Sequence, residues 1–244
     1  MSKSIGIFGA GPALGQAVAR RYASEGYAVT LVARHPEPLE RMARELTSAG
    51  ATAQAITADL SDTDAVPRLA GRIRAEAGHL DALYYGPSSG GFLPAADLTP
   101  QQLQAFMPFT LYTLVALAGE FLPHMIEQRA GAILLATGAS AVQGMPNFSG
   151  PGPALAAQRN YLQSLHAELA ASGVYAGGLY IGATIEHSAW HATVEADAAA
   201  GRPTRARGPV VSPSHLADLL WTMHNVSRQP EAIYPEDLFN HLSR

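Results

Sequence analysis

Short apolar runs alternating with longer amphipathic segments constrain this chain more than any other feature. Residues 5–8 (IGIF), 28–33 (AVTLVA), 52–57, 82–85, 132–136, 174–181 and 232–234 are brief, apolar and rich in β-branched or aromatic side chains, which reads as strand. Between them, residues 13–24, 37–49, 62–77, 100–129, 154–172 and 213–225 carry apolar side chains at helical spacing; Leu39, Met42, Ala43 and Leu46 show it clearly. Strands apolar throughout need cover on both faces, and parallel strands need helical crossovers. The pattern predicts an α/β fold in one domain, residues 1–244, with a doubly wound parallel sheet of about seven strands and helices on both faces. The least regular stretch, 186–210, holds Gly201, Pro203, Gly208 and Pro209 and reads as a surface excursion from that domain.

The first strand runs into Gly9-Ala10-Gly11-Pro12-Ala13-Leu14-Gly15, which opens the first helix. Small residues there let the backbone approach a pyrophosphate, and the helix start supplies N–H groups and positive dipole. Gly9, Gly11, Pro12, Ala13, Leu14 and Gly15 are therefore nucleotide-binding candidates. The second strand ends at Ala33-Arg34-His35, where an acid would accept from a ribose 2′-hydroxyl. Arg34 offers a guanidinium to a 2′-phosphate instead, so NADP(H) is expected over NAD(H). Asp59 and Leu60 follow the third strand; the Asp59 carboxylate could accept from an adenine amino group or cap the next helix.

Composition narrows the chemistry. The absence of cysteine removes disulfides, thiolate nucleophiles and Cys-ligated zinc. A net charge of −4 argues against a nucleic-acid partner. His187 and His191 are four residues apart, but no third ligand is fixed by spacing, so no metal is expected. The longest apolar run, around residues 111–118, is far short of the ~20 residues that span a bilayer. No signal peptide is visible at the start, and a cytoplasmic protein without membrane contact is expected.

Taken together, these residues resemble the short-chain dehydrogenase/reductase family over nearly the whole chain. The resemblance rests on the glycine loop, Ala58-Asp59-Leu60, Leu122-Pro123-His124-Met125, Gly131-Ala132-Ile133-Leu134, Leu165-His166-Ala167-Glu168-Leu169 and Pro213-Ser214-His215-Leu216-Ala217. It implies a Rossmann-type domain, NAD(P) binding and a homodimer or homotetramer, in which helices matching 111–121 and 154–169 pair across a two-fold axis. The family's catalytic groups are missing. Its asparagine falls at Thr110, its serine at or near Gly138, and its Tyr-x-x-x-Lys pair at Pro151 and Leu155. Of sixteen basic residues only Lys3 is lysine, and no tyrosine has Lys or Arg four positions on. In that family the lysine lowers the tyrosine pKa and the tyrosine transfers the proton.

Replacement groups are sought at the C-terminal ends of the strands, where open α/β sheets bind ligands. Thr137 or Ser140 could restore a hydroxyl. Tyr85 could be an acid or a ring in the pocket wall. His187 could act as acid or base on a substrate covered by Trp190. Gly86 and Gly182, at the ends of the fourth and sixth strands, join the cofactor candidates. Residues 186–210 form an expected lid, movable without ligand because its middle is small and polar, with Arg202, Arg205 and Arg207. The favoured function is an NADP(H)-binding oxidoreductase acting on a small molecule with a non-standard proton donor. A non-redox isomerase, cyclase or dehydratase, or an inactive NADP(H)-binding module, are the alternatives.

Overall fold

A computed structural model describes residues 3–88, 90–201 and 208–240. The apolar runs form β1 (Ser4–Phe8), β2 (Ala28–Ala33), β3 (Ala53–Thr57), β4 (Ala82–Tyr85), β5 (Gly131–Gly138) and β6 (Val174–Ile181). Helices α1 (Leu14–Ser24), α2 (Pro36–Ser48), α3 (Val66–Ala77), α4 (Pro100–Met107), α5 (Thr113–Glu127) and α6 (Gly152–Leu169) lie between them. Beyond β6 come β7 (Thr184–Ile185), α7 (Ala189–Ala199), β8 (Val210–Val211), α8 (Pro213–Thr222) and β9 (Glu231–Tyr234). The main sheet has seven strands in the order β3-β2-β1-β4-β5-β6-β9, and every pair is parallel. The expected doubly wound sheet is therefore what the chain forms.

Alternate residues of each strand feed opposite cores, as a period of two dictates. Ile5, Ile7, Leu31, Tyr84 and Leu134 pack with Val18 and Tyr22 of α1, Leu39 of α2 and Leu216 and Leu220 of α8. Phe8, Val32, Leu83, Tyr85 and Ile133 pack with Leu69 and Ile73 of α3, Leu117 and Phe121 of α5 and Leu162 of α6. Strand order reverses between β1 and β4. Chain segments diverge there and leave a crevice at the C-terminal strand ends, the general position for a ligand in this topology.

Two expectations are corrected. The helix expected over 100–129 is interrupted by a π-helical turn, Pro108–Tyr112. Proline has no N–H to give to the carbonyl four residues back, so the regular ladder lapses there. The axis nevertheless continues for 28 residues from Pro100 to Glu127 and contains an 18-residue window of mean hydropathy 1.5, long and apolar enough to cross a membrane by length and composition. That is much longer than the 111–118 run; Leu114, Leu117, Ala118, Phe121 and Met125 are buried in the core, and about a third of the apolar window is buried in all. The stretch 186–210 is not irregular throughout. Ser188 accepts the His191 N–H at 3.0 Å and starts α7, whose sequence is rich in alanine. Arg202, Pro203, Arg205 and Arg207 lie outside the described residues.

Candidate active site

The glycine loop is shaped by close approach. Gly9 has φ +91°, and a Cβ there would lie 2.6 Å from the Pro87 nitrogen and 2.8 Å from the Gly86 carbonyl carbon. A Cβ on Gly15 would lie 2.6 Å from the Gly9 oxygen. These two glycines clamp the loop to the β4 exit and to the start of α1. Gly86 therefore sits against the loop, its N–H donating to the Phe8 carbonyl at 2.9 Å. Gly11 differs: a Cβ there would find only the Gly9 oxygen, 4.0 Å away. Its open side is where a ligand could lie.

Helix α1 begins beyond Ala13 with no side-chain cap and no acid in its first turn. Its leading N–H groups and positive end thus remain available to an anion. Arg34 is exposed at the end of β2, near Asp59. Asp59 Oδ1 accepts from the Ser61 N–H at 2.9 Å and the Ser61 hydroxyl at 2.8 Å. Those bonds, with Arg34 adding to them, hold the Asp59 carboxyl below the usual carboxylate range. Leu60 is buried, and its carbonyl accepts from the Thr113 hydroxyl at 2.7 Å. An open glycine, an uncapped helix start and an exposed guanidinium fit the diphosphate and 2′-phosphate of a dinucleotide.

At the β5 end, Thr137 is half-buried and in register with Tyr180 of β6. Ser140 follows and is 7% exposed. Its Oγ stands 3.6 Å from where a Gly138 Cβ would be and 3.9 Å from where a Gly152 Cβ would be. The hydroxyl thus lies near two glycines, Gly138 at the end of β5 and Gly152 at the start of α6. Pro151 is buried at the start of α6, and Leu155 reaches within 3.8 Å of the Gly138 Cβ position. Apolar groups therefore stand where the resemblance would put a tyrosine and a lysine.

Of the two readings of Tyr85, an acid or a packed ring, the geometry fits the ring. It is fully buried, its hydroxyl donates to the Phe109 carbonyl, and burial pushes its pKa up. A group so committed cannot hand a proton to substrate. It belongs to a set that satisfies the π-helical turn: Tyr85 serves Phe109, Gln158 Nε2 donates to the Thr110 carbonyl, and Thr110 Oγ1 donates to the Phe106 carbonyl at 2.6 Å. Gln158, 2% exposed, was not singled out by sequence reasoning. The available signal was one polar residue on the inward face of α6 otherwise made by Ala154, Leu162, Leu165 and Leu169.

Other candidates lie apart. His187 has φ +62° and is exposed. It borders a cleft of about 410 Å³ between α1 and α8, with Pro12, Gln16 and Ser214. The same cleft is lined by Pro12 and Ala13 of the glycine loop. A Cβ on Gly182 would lie 2.9 Å from Leu238 Cδ1, so the Cβ side of Gly182 is packed by protein. Among the described residues no three His, Cys, Asp or Glu side chains converge on a metal site.

A family model described as short chain dehydrogenase matches residues 3–195. A short chain dehydrogenase of Pseudocercospora fijiensis is 28% identical over 171 residues, 69% of this chain and 55% of that protein, so the match spans about half of that relative's length. A fatty acyl-CoA reductase of Acinetobacter baylyi is 25% identical over 93% of this chain and 74% of its own. Among solved structures, L-sorbose reductase from Gluconobacter frateurii, complexed with NADPH and L-sorbose, superposes with TM-score 0.82 at 20% identity over 95% of this chain and 94% of that one. An NADPH-bound short chain oxidoreductase from Pseudomonas aeruginosa, described as containing an atypical catalytic center, does so with TM-score 0.82 at 20% identity over 97% and 96%.

Proposed function

This chain belongs to the short-chain dehydrogenase family, and from that premise we propose that it is an oxidoreductase preferring NADP(H) to NAD(H), with the Ser140 hydroxyl taking the place of the family's tyrosine. The observation that carries the reading is the cradle at Gly9–Gly15 with Arg34, and no acid, at the end of β2. NADP(H), when bound, supplies or receives the hydride. The remaining work falls to the chain. Gly11 and the α1 start hold the diphosphate, Arg34 forks onto the 2′-phosphate, and Asp59 faces the adenine edge with the oxygen that Ser61 leaves open. Ser140, assisted by Thr137, hydrogen-bonds the substrate oxygen and passes its proton to or from water. A neutral hydroxyl with no lysine beside it is a weak acid, so part of the 10²–10⁴-fold that general acid catalysis gives is forgone. His187 is assigned no step.

Calorimetric titration tests this reading. NADPH should bind more tightly than NADH, and Arg34→Ala should weaken NADPH by about 2–3 kcal/mol, as expected for a charge-assisted pair, while leaving NADH nearly untouched. Equal affinities in the unaltered protein would overturn the preference. Binding of NADPH with no turnover on any substrate, unchanged by Ser140→Ala, would favour an inactive nucleotide-binding module.

A second expectation concerns assembly. Tyr112, Val115 and Ile126 are 47%, 40% and 42% exposed, and they fall along one face of the α5 axis. We expect that face, continued onto α6, to be covered by a second copy of the chain. Light scattering should give at least a dimer at micromolar concentration; a monomer there would rule the contact out.

A further inference from the structure

Above the ends of β4, β5 and β6, three crossover segments each contribute one ring to a single cluster. Phe92 stands in the middle. Phe148 lies 4.9 Å from it, tilted by 51°, and Trp190 lies 5.5 Å away, edge-on at 76°. All three are half-buried and none belongs to either core. Phe106 and Phe109, with centroids 6.3 Å apart, continue the apolar surface from the α4 side. The loop carrying Phe92 is held close to this surface. Gly91 has φ +91°, and a Cβ there would fall 2.8 Å from the Phe106 ring. On its other side the Ser149 N–H donates to the Leu93 carbonyl at 3.1 Å, which ties the Phe148 loop to the Phe92 loop.

The charge pattern around these rings is one-sided. Residues 82–96, 98–119 and 130–158 contain no Asp, Glu, Lys, Arg or His. These stretches build the β4 exit, the α4 and π-turn wall, and the β5 exit with the start of α6; the remaining wall, α7, carries His191 beside Trp190, its Nε2 3.8 Å from Glu195 Oε1. An ionised substrate entering there would leave water without meeting a countercharge on any of the three uncharged walls, which is costly. An aromatic ring, by contrast, would find partly exposed ring faces and edges already set at tilted and perpendicular angles, the arrangements that aromatic pairs prefer.

We infer that this site takes an uncharged substrate bearing an aromatic ring, held among Phe92, Phe148 and Trp190 above Ser140. The inference deepens the oxidoreductase reading by naming the class of molecule, and rests on it only for the chemistry after binding. Three walls without charge set the neutrality; the ring cluster sets the preference for flat over saturated skeletons.

Three probes of similar size separate the possibilities on the full chain saturated with NADP⁺, which cannot reduce a ketone: 2-acetylnaphthalene, its saturated counterpart 2-acetyldecalin, and the anion 2-naphthoate. By calorimetry, 2-acetylnaphthalene should bind at least tenfold more tightly than either of the others, with saturable quenching of tryptophan emission. Phe92→Leu and Phe148→Leu should each reduce its affinity about tenfold and leave NADPH affinity unchanged. Equal or tighter binding of 2-acetyldecalin or 2-naphthoate would overturn the inference, as would an unaltered affinity in both variants. The same titrations without nucleotide separate the two claims. A chain that binds 2-acetylnaphthalene but no NADPH loses the oxidoreductase reading and keeps the ring site; the converse keeps the reading and loses the ring site.

Discussion

Gly9→Ala is expected to destabilise the fold by roughly 2–5 kcal/mol, whereas Gly11→Ala, two residues on, should leave stability within about 0.5 kcal/mol and weaken NADPH at least tenfold. The contrast comes from where each new methyl group would go. At Gly9 the backbone has φ +91°, a region L-residues avoid, and the added Cβ would sit 2.6 Å from the Pro87 nitrogen. Strain of about 1–3 kcal/mol adds to overpacking of similar size, since neither the loop nor the β4 exit can yield without the other. At Gly11 the methyl would meet only the Gly9 oxygen at 4.0 Å. Nothing in the protein resists it, but it occupies the open side where a diphosphate must approach. Urea unfolding reads the first effect and calorimetry the second. A Gly11→Ala variant that binds NADPH normally would place the anion elsewhere, and a Gly9→Ala variant as stable as its parent would contradict the close approach of the loop to Pro87.

The sheet was legible because buried parallel strands must be apolar on both faces, and IGIF and AVTLVA have few other uses. The loop was legible because Gly9 and Gly15 are required by local geometry. What stayed hidden depends on contacts between distant elements. Tyr84 and Tyr85 are adjacent and both buried, so alternation sends them to opposite cores without saying which ring meets what. The fate of Tyr85 was settled by a carbonyl that Pro108 and the π-helical turn free on another element. The turn itself is silent in sequence, because apolar spacing runs on through residues 100–129. The surroundings of His187 were hidden for a related reason: the Ser188 cap and a left-handed φ at His187 set it beside Pro12 and Ala13 of the glycine loop, in the α1–α8 cleft.

Lowering the pH from 7 to 4 should cost the fold roughly 3 kcal/mol through His224 alone, a loss traceable to the far end of the helix that opens the nucleotide cradle. His224 is 8% exposed and stacked between Tyr22 and Tyr175, at centroid distances of 6.0 and 5.8 Å. Its Nδ1 lies 3.0 Å from the Tyr22 hydroxyl. Burial, with Arg228 and Lys3 adding to it, pushes its pKa down from 6.5 to about 4, and burial pushes that of Tyr22 up. Tyr22 therefore keeps its proton and shares a hydrogen bond with a neutral imidazole, the tautomer deciding which of the two donates. The unfolded chain binds a proton at His224 near pH 6.5 and the folded chain only near pH 4. Stability from this residue is thus complete above about pH 6.5 and is lost as pH falls toward 4. Tyr22 belongs to α1 and His224 to the turn after α8, so their bond pins together the two helices that border the cleft beside the glycine loop. His224→Gln can still accept from Tyr22 but does not titrate. Urea unfolding between pH 7 and 4 should show a fall for the parent exceeding that of His224→Gln by roughly 3 kcal/mol. Identical pH profiles would mean that His224 carries its proton equally well folded and unfolded, and that the imidazole is not locked neutral against Tyr22.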